Sequence, residues 1–335
     1  MVQGLPPHPR REHDIRHHQL TRLNTPFQKI GVVGSGSIGL YHGLRLALAG
    51  ADVRFLLRSD LDAVRSRGTL RLVAGATPSE LRNPVVFATP AEIGPVDLVI
   101  IGLKTTSNGA LPSLVQPLLG PDTAILTLQN GLGSEDRLAS LFGPQRVIGG
   151  LAFIATNRTA PGEVTCFQPG SLTLGEFSGP PSPRTRALAG QLNEAGVKTR
   201  VADNLDSARW HKLVWNVPFN GLTIAAGCVP TSLVCSDPAL AAEARALMVD
   251  IQRGAAALGH SITDDFLRKQ FDLTPPMGAY RPSSLVDFLA RRDVEVEPIW
   301  GEPLRRAQAA GASVPRLALL YALLQSMVAH RGQST

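Results

Sequence analysis

The stretch Gln28–Gly39, QKIGVVGSGSIG, decides the fold. Its first half is a short β-branched run. Its second half breaks into glycines spaced GxGxxG: Gly34, Ser35, Gly36, Ser37, Ile38 and Gly39. Working outward, Leu40–Ala49 reads as helix, Gly50 as its C-terminal stop, and Asp52–Leu57 as a second strand. Strand, glycine turn, helix and strand within about 30 residues make a βαβ unit. The glycines there have separate tasks: a tight turn, close approach of backbone to a pyrophosphate, and close packing of helix on strand. Free N–H groups at the start of that helix favour phosphate oxygens. All six residues of the motif are therefore candidate dinucleotide ligands.

The end of the second strand selects between the two nicotinamide dinucleotides. A site for NAD usually places a carboxylate there to hold the ribose 2′-hydroxyl, whereas this chain reads Phe55-Leu56-Leu57-Arg58-Ser59. Arg58 is a permanent cation whose fork suits a 2′-phosphate, so NADP is the expected cofactor. Asp60 offers the opposite reading if the strand ends later. Arg65 and Arg67 read as solvated helix residues that add positive charge nearby.

Composition sets the frame. A chain of 335 residues, 44% hydrophobic and 18% charged, is long enough for two domains and too apolar to stay unfolded. Residues 1–26, with three prolines before residue 10 and a His17-His18 pair, read as a disordered extension without the apolar core of a secretory signal. Cys166, Cys228 and Cys235 form no CxxC pair, which argues against a disulfide framework or thiolate metal site and fits a reducing cytoplasm. No metal site is expected. The uncharged run from 217 to 236 contains Pro218, Gly221, Gly227 and Pro230, so no membrane span is expected. A formal charge of +6 spread along the chain, with 5% aromatic residues, gives no sign of a nucleic-acid surface.

Further strands are expected at Val85–Phe87, Leu98–Leu103 and Ala124–Leu128, with a helix at Ala110–Leu119. Val147–Ala155, Glu163–Phe167 and Leu172–Leu174 suggest an antiparallel extension, followed by helix Thr185–Ala195 and strand Val197–Val201. From about 204 onward strand patterning stops and helices follow: Leu205–Trp215, Pro238–Leu258, Asp264–Gln270, Ser283–Arg291, Pro298–Ala310 and Val314–His330. The expected architecture is α/β, with a Rossmann-type dinucleotide-binding domain over 27–203 and an all-α domain over 204–331.

Only five of the 33 cationic residues are lysines, so a lysine inside an apolar motif is informative here. Strand LVIIGL runs into Lys104, and strand AILTL runs into Gln129-Asn130-Gly131. Ligands of open parallel sheets sit beyond the carboxyl ends of the strands, where Lys104 and Asn130 fall. A solvated lysine and a turn-forming Asn-Gly are the plainer readings of each. In Trp210–Thr223, WHKLVWNVPFNGLT, Lys212, Asn216 and Asn220 recur at i, i+4 and i+8 on one helix face amid aromatic residues. That face looks built for a polar ligand. Pro218 is expected to kink or end the helix, and His211 points elsewhere and reads as structural.

These motifs together resemble the ketopantoate reductase family across most of the chain beyond the N-terminal extension. The matching pieces are GSGSIG, Arg58, Lys104, QNGLG at 129–133, the WHKLVWNVPFNGLT stretch, and Ser283-Ser284-Leu285-Val286-Asp287 with the segment from Arg291 to Gly301. The resemblance implies an all-α C-terminal domain of the 6-phosphogluconate dehydrogenase C-terminal type. It also implies NADPH-dependent reduction of 2-dehydropantoate to pantoate, on the route to pantothenate and coenzyme A. Lys212 matches the family's catalytic lysine, and Glu295 its active-site glutamate, which engages the substrate hydroxyl and helps set the lysine's protonation. Lys104 and Asn130 match residues lining the cofactor; Asn130, Asn216, Asn220 and Ser284 match substrate-binding positions, the serine at the carboxylate.

The chain also departs from the family pattern. Gly221 stands where a proline often follows the second asparagine, Pro230 or Thr231 where some members carry another asparagine, and Trp300 where asparagine commonly precedes Gly301. Reduction of another 2-keto acid or a bulkier carbonyl compound, and a non-catalytic NADP sensor, are the competing readings. The expected partner is a small 2-keto acid, and the apolar C-terminal helices are compatible with a homodimer.

Overall fold

Strand β1 (Lys29–Val33) is covered on both faces: Ile30 and Val32 enter one hydrophobic core and Val33 another. The computed structural model describes residues 26–331; the histidine-bearing extension expected over 1–26 lies, but for Pro26, outside them. The remaining strands are β2 (Asp52–Leu56), β3 (Thr69–Val73), β4 (Ser79–Arg82), β5 (Val85–Phe87), β6 (Val96–Ile101), β7 (Leu119–Thr127), β8 (Val147–Ala160), β9 (Glu163–Glu176) and β10 (Thr199–Val201). They form one sheet in the order β4-β3-β9-β8-β7-β6-β1-β2-β5, with β10 against β9. From β5 through β8 every neighbouring pair is parallel, and β8 then pairs antiparallel with β9. The chain leaves β1 toward β2 and returns on its other side at β6. This reversal opens a crevice at the carboxyl ends of β1, β6 and β7.

Helices Ser37–Leu48 and Pro183–Glu194 cover one face of the sheet; Leu111–Val115 and Ser134–Phe142 cover the other. The second half is helical from Leu205 to Ala329 and has its own core, centred on Trp210, Val217, Phe219 and Trp300. Among the described residues, no helix is long and apolar enough to cross a membrane.

Three departures from the sequence expectations have physical causes. The pattern of residues 69–82 gives little warning of β3 and β4, because SELR has no apolar face and β4 exists through its ladder to β3. The segment expected as helix Ala110–Leu119 breaks into short 3-10 and α turns, because Pro112 and Pro117 each remove a backbone donor. Conversely, Pro218 does not end its helix, which runs unbroken from Leu205 to Ala225. An interior proline costs about 3 kcal/mol, but this helix is buried nearly all round from Leu213 to Ile224. The indole N–H of Trp300 also donates to the Val217 carbonyl beside the proline, at 3.0 Å.

Candidate active site

The glycine motif opens the crevice from the β1 side. A Cβ on Gly34 would lie 2.3 Å from Leu103 N, and one on Gly39 would lie 2.2 Å from Gly34 O, so both serve close packing. Gly36 differs: a Cβ there would meet nothing nearer than Gly102 O at 3.9 Å. Protein does not fill the space beside Gly36, at the start of helix Ser37–Leu48, whose first turn has no side-chain cap. The residues present therefore fit a pyrophosphate. Ser35 is turned away, its hydroxyl donating to Leu56 O at 3.0 Å.

Beyond β2, Arg58 is exposed and has no hydrogen-bond or ion-pair partner among the described residues. Asp60 is otherwise engaged. It is 4% exposed, accepts from Gly162 N at 2.8 Å and Ser59 Oγ at 2.9 Å, and pairs with Arg158 at 3.3 Å. Arg67 is likewise tied to Thr69 and Pro161, while Arg65 is exposed.

Lys212 enters from the long helix and meets the end of β7 and the middle of β8. Its Nζ donates to Asn130 Oδ1 at 2.8 Å and to Ala152 O at 2.9 Å. An ammonium has three N–H bonds, so one remains for a ligand. Burial, and secondarily the Arg209 guanidinium, lower its pKa from 10.5 to about 7, against the opposing pull of Glu295 and Glu135. The sequence suggests a lysine kept charged by a nearby carboxylate. Here no ion pair joins Lys212 to Glu295, and desolvation outweighs the attraction.

Arg209, one turn earlier, is a part of this site that the sequence does not announce. It forms a buried ion pair with Glu135 and donates to Gln129 O at 2.9 Å, pinning the segment that carries Asn130. An arginine paired with a glutamate 74 residues away leaves no local signature. Gly131 completes the seam between the halves. It has φ +79°, a Cβ on it would lie 2.1 Å from Pro298 O, and Leu132 N donates to that carbonyl at 2.9 Å.

Asn216 and Asn220 line up with Lys212 on the helix. Asn220 Oδ1 accepts from Ser284 N at 3.1 Å. Among the described residues, the Asn216 amide, the Asn220 amide N–H groups and the Ser284 hydroxyl have no hydrogen-bond partner. Glu295, 9% exposed, accepts the backbone N–H and hydroxyl of Thr105 on one oxygen. Burial pushes its carboxyl above the usual range. Lys104, expected at the cofactor, instead pairs with Asp287 at 2.7 Å and donates to Asp293 O at 3.2 Å. A cavity of about 630 Å³ lies along the seam, lined by Thr105, Asn108, Ser134, Arg137, Glu295 and Glu297 among others.

Two departures from the family pattern belong to packing. Trp300 is fully buried, and Gly221 makes room for it: a Cβ there would lie 3.0 Å from Trp300 Nε1 and 2.6 Å from Leu320 Cδ2. Thr231 is also buried, bonded to Gly278 O and Tyr280 O. His211 Nδ1 donates to Ser207 O within its own helix, at 2.7 Å, and the ring packs edge-on against Phe266.

A glycine cradle at the mouth of a parallel sheet, with a half-buried lysine of the helical half bonded to the segment that follows β7, defines a two-domain, dinucleotide-dependent oxidoreductase. Residues 30–179 match the family model for ketopantoate reductase PanE/ApbA, and 204–328 match the model for its C-terminal part. The chain belongs to the ketopantoate reductase family, whose members use a nicotinamide cofactor. It is 34% identical to a 2-dehydropantoate 2-reductase of Nostoc sp., over 88% of this chain and 93% of that one. The crystal structure of 2-dehydropantoate 2-reductase from Geobacter metallireducens superposes with a TM-score of 0.86 at 40% identity, covering 89% of this chain and 99% of that one. D-mandelate dehydrogenase, solved with NADH and anilino(oxo)acetate, shares the fold at a TM-score of 0.79 and 21% identity, over 90% and 98% of the two chains. The family match and the two reductase likenesses support 2-dehydropantoate reduction over the other readings.

Proposed function

We propose that the protein reduces 2-dehydropantoate to pantoate with NADPH, in the pathway to pantothenate and coenzyme A. The observation that carries this reading is Lys212: an ammonium with two N–H bonds fixed on Asn130 and Ala152, a third free, and a pKa of about 7. A lysine that titrates near neutrality can give up its proton at the operating pH, which an arginine cannot. A bound dinucleotide would be the hydride source for C2 of the keto acid. Lys212 then stabilises the developing alkoxide and delivers the proton to it.

The neighbouring groups suit the rest of the substrate. The Asn216 amide, the Asn220 amide N–H groups and the Ser284 hydroxyl are donors for a carboxylate, and the second oxygen of Glu295 can accept the substrate hydroxyl. Gly34–Gly39 would hold the pyrophosphate, while Asn130 would hold the ring of the cofactor beside Lys212. Lys104, just beyond the carboxyl end of β6, would line the cofactor. Arg58, exposed and unpartnered among the described residues, supports NADPH over NADH, and the engagement of Asp60 with Gly162 supports it from the other side. Domain limits of 27–203 and 204–331, and a homodimer in solution, belong to the same proposal.

The test is NADPH consumption by the purified protein with 2-dehydropantoate beside pyruvate and 2-ketoisovalerate, repeated with NADH. The highest kcat/KM is expected with 2-dehydropantoate and NADPH. Equal or faster turnover of another keto acid would overturn the substrate assignment.

A further inference from the structure

Glu295 belongs to the helical half, yet its carboxylate is held from the sheet half. Thr105, the first residue of the 3-10 turn Thr105–Ala110 after β6, donates twice to the same oxygen of Glu295: N–H to Oε1 at 2.8 Å and Oγ1 to Oε1 at 2.9 Å. Its loop is anchored across the seam. Lys104 pairs with Asp287 at 2.7 Å and donates to Asp293 O at 3.2 Å, and Asp287 also accepts from Arg292 at 3.0 Å.

We infer that Thr105 is a positioning residue for the reaction: its two donors fix Oε1 of Glu295 and leave Oε2 alone as the acceptor for the substrate hydroxyl. The inference rests on the reading of Glu295 given above. It goes beyond the matched motifs, which place no role on Thr105. Two hydrogen bonds on one oxygen restrict rotation of the carboxylate, and both favour its ionised form.

The surroundings make that support necessary. Burial and the Asp287 carboxylate push Glu295 toward its neutral form, while Thr105 and Lys104 oppose them. Lys212 faces it from the long helix, with Arg209 and Glu135 behind. Arg137, Glu297, Glu302 and Arg305 line the cavity it shares with Thr105. A protonated Glu295 would lose strength as an acceptor and would cease to support the Lys212 ammonium. Removing the Thr105 hydroxyl removes one of the two bonds that keep it ionised.

The experiment compares wild type, Thr105→Val, Thr105→Ser and Glu295→Gln, with kcat/KM measured from pH 5 to 9 for 2-dehydropantoate and for 2-ketoisovalerate, which lacks the hydroxyl. Valine preserves shape and the backbone donor. The expected result for Thr105→Val is an acid limb moved up by about one pH unit, and a preference for the hydroxylated substrate reduced about tenfold at pH 6. Thr105→Ser should restore both. A Thr105→Val profile and preference matching wild type would overturn the inference, as would failure of serine to restore them. Full activity and preference in Glu295→Gln would instead remove the underlying role of Glu295. Loss in Glu295→Gln with a wild-type response in Thr105→Val would reject the Thr105 inference alone.

Discussion

Replacing Lys212 with methionine should stabilise the protein, and the gain should shrink as pH rises. An unfolded chain holds the lysine proton up to about pH 10.5, whereas the folded chain releases it near 7. Between those values the unfolded state binds more protons, so wild-type stability increases with pH across this window. The gap corresponds to a cost of about 5 kcal/mol at pH 6, about 4 at pH 7 and about 2 at pH 9. Methionine has similar volume and carries no charge to desolvate. It also forfeits the bonds to Asn130 and Ala152, a loss of about 1–3 kcal/mol. The net gain expected at pH 6 is about 2–4 kcal/mol, and it should fall by about 2–3 kcal/mol by pH 9. Urea unfolding of both proteins at pH 6, 7.5 and 9 measures this. A stability difference constant across that range would refute the depressed lysine, and with it the explanation of how Lys212 acts as an acid near neutrality.

Other expectations follow from single contacts. Arg58→Ala should raise KM for NADPH at least tenfold and leave KM for NADH within about twofold, since only the phosphate contact is lost; a parallel rise for both cofactors would contradict its role. Glu135→Ala strands the buried Arg209 guanidinium and should cost about 3–5 kcal/mol in urea unfolding, with activity also lowered because Arg209 pins Gln129 O. Gly131→Ala combines φ +79° with a Cβ 2.1 Å from Pro298 O. It should destabilise by at least about 2 kcal/mol, measured by thermal unfolding.

The parts of this molecule readable from sequence are those whose physics is local. GSGSIG announces its turn because glycine spacing, strand and helix lie within one short segment. The Lys212–Asn216–Asn220 face is visible from helical periodicity alone. Glu295 is not: one glutamate in Val294-Glu295-Val296-Glu297 has no distinguishing neighbour, and only the family resemblance singles it out. Its partner Thr105, and the pairs Lys104–Asp287 and Arg209–Glu135, depend on contacts across 74 to 190 residues. Pro218 shows the reverse error, in which a reliable local rule yields to burial on all sides. Gly221 and Trp300, read separately, suggest an altered substrate site. In three dimensions they are one packing unit of the helical core.

The central claim is that Lys212 supplies the proton as the 2-keto group is reduced. Its most direct test is the initial rate of NADPH oxidation with 2-dehydropantoate at pH 6, wild type against Lys212→Met, with NADPH binding measured alongside. The expected result is a kcat lower by at least about a hundredfold with cofactor affinity preserved; a kcat within a few-fold of wild type would contradict it.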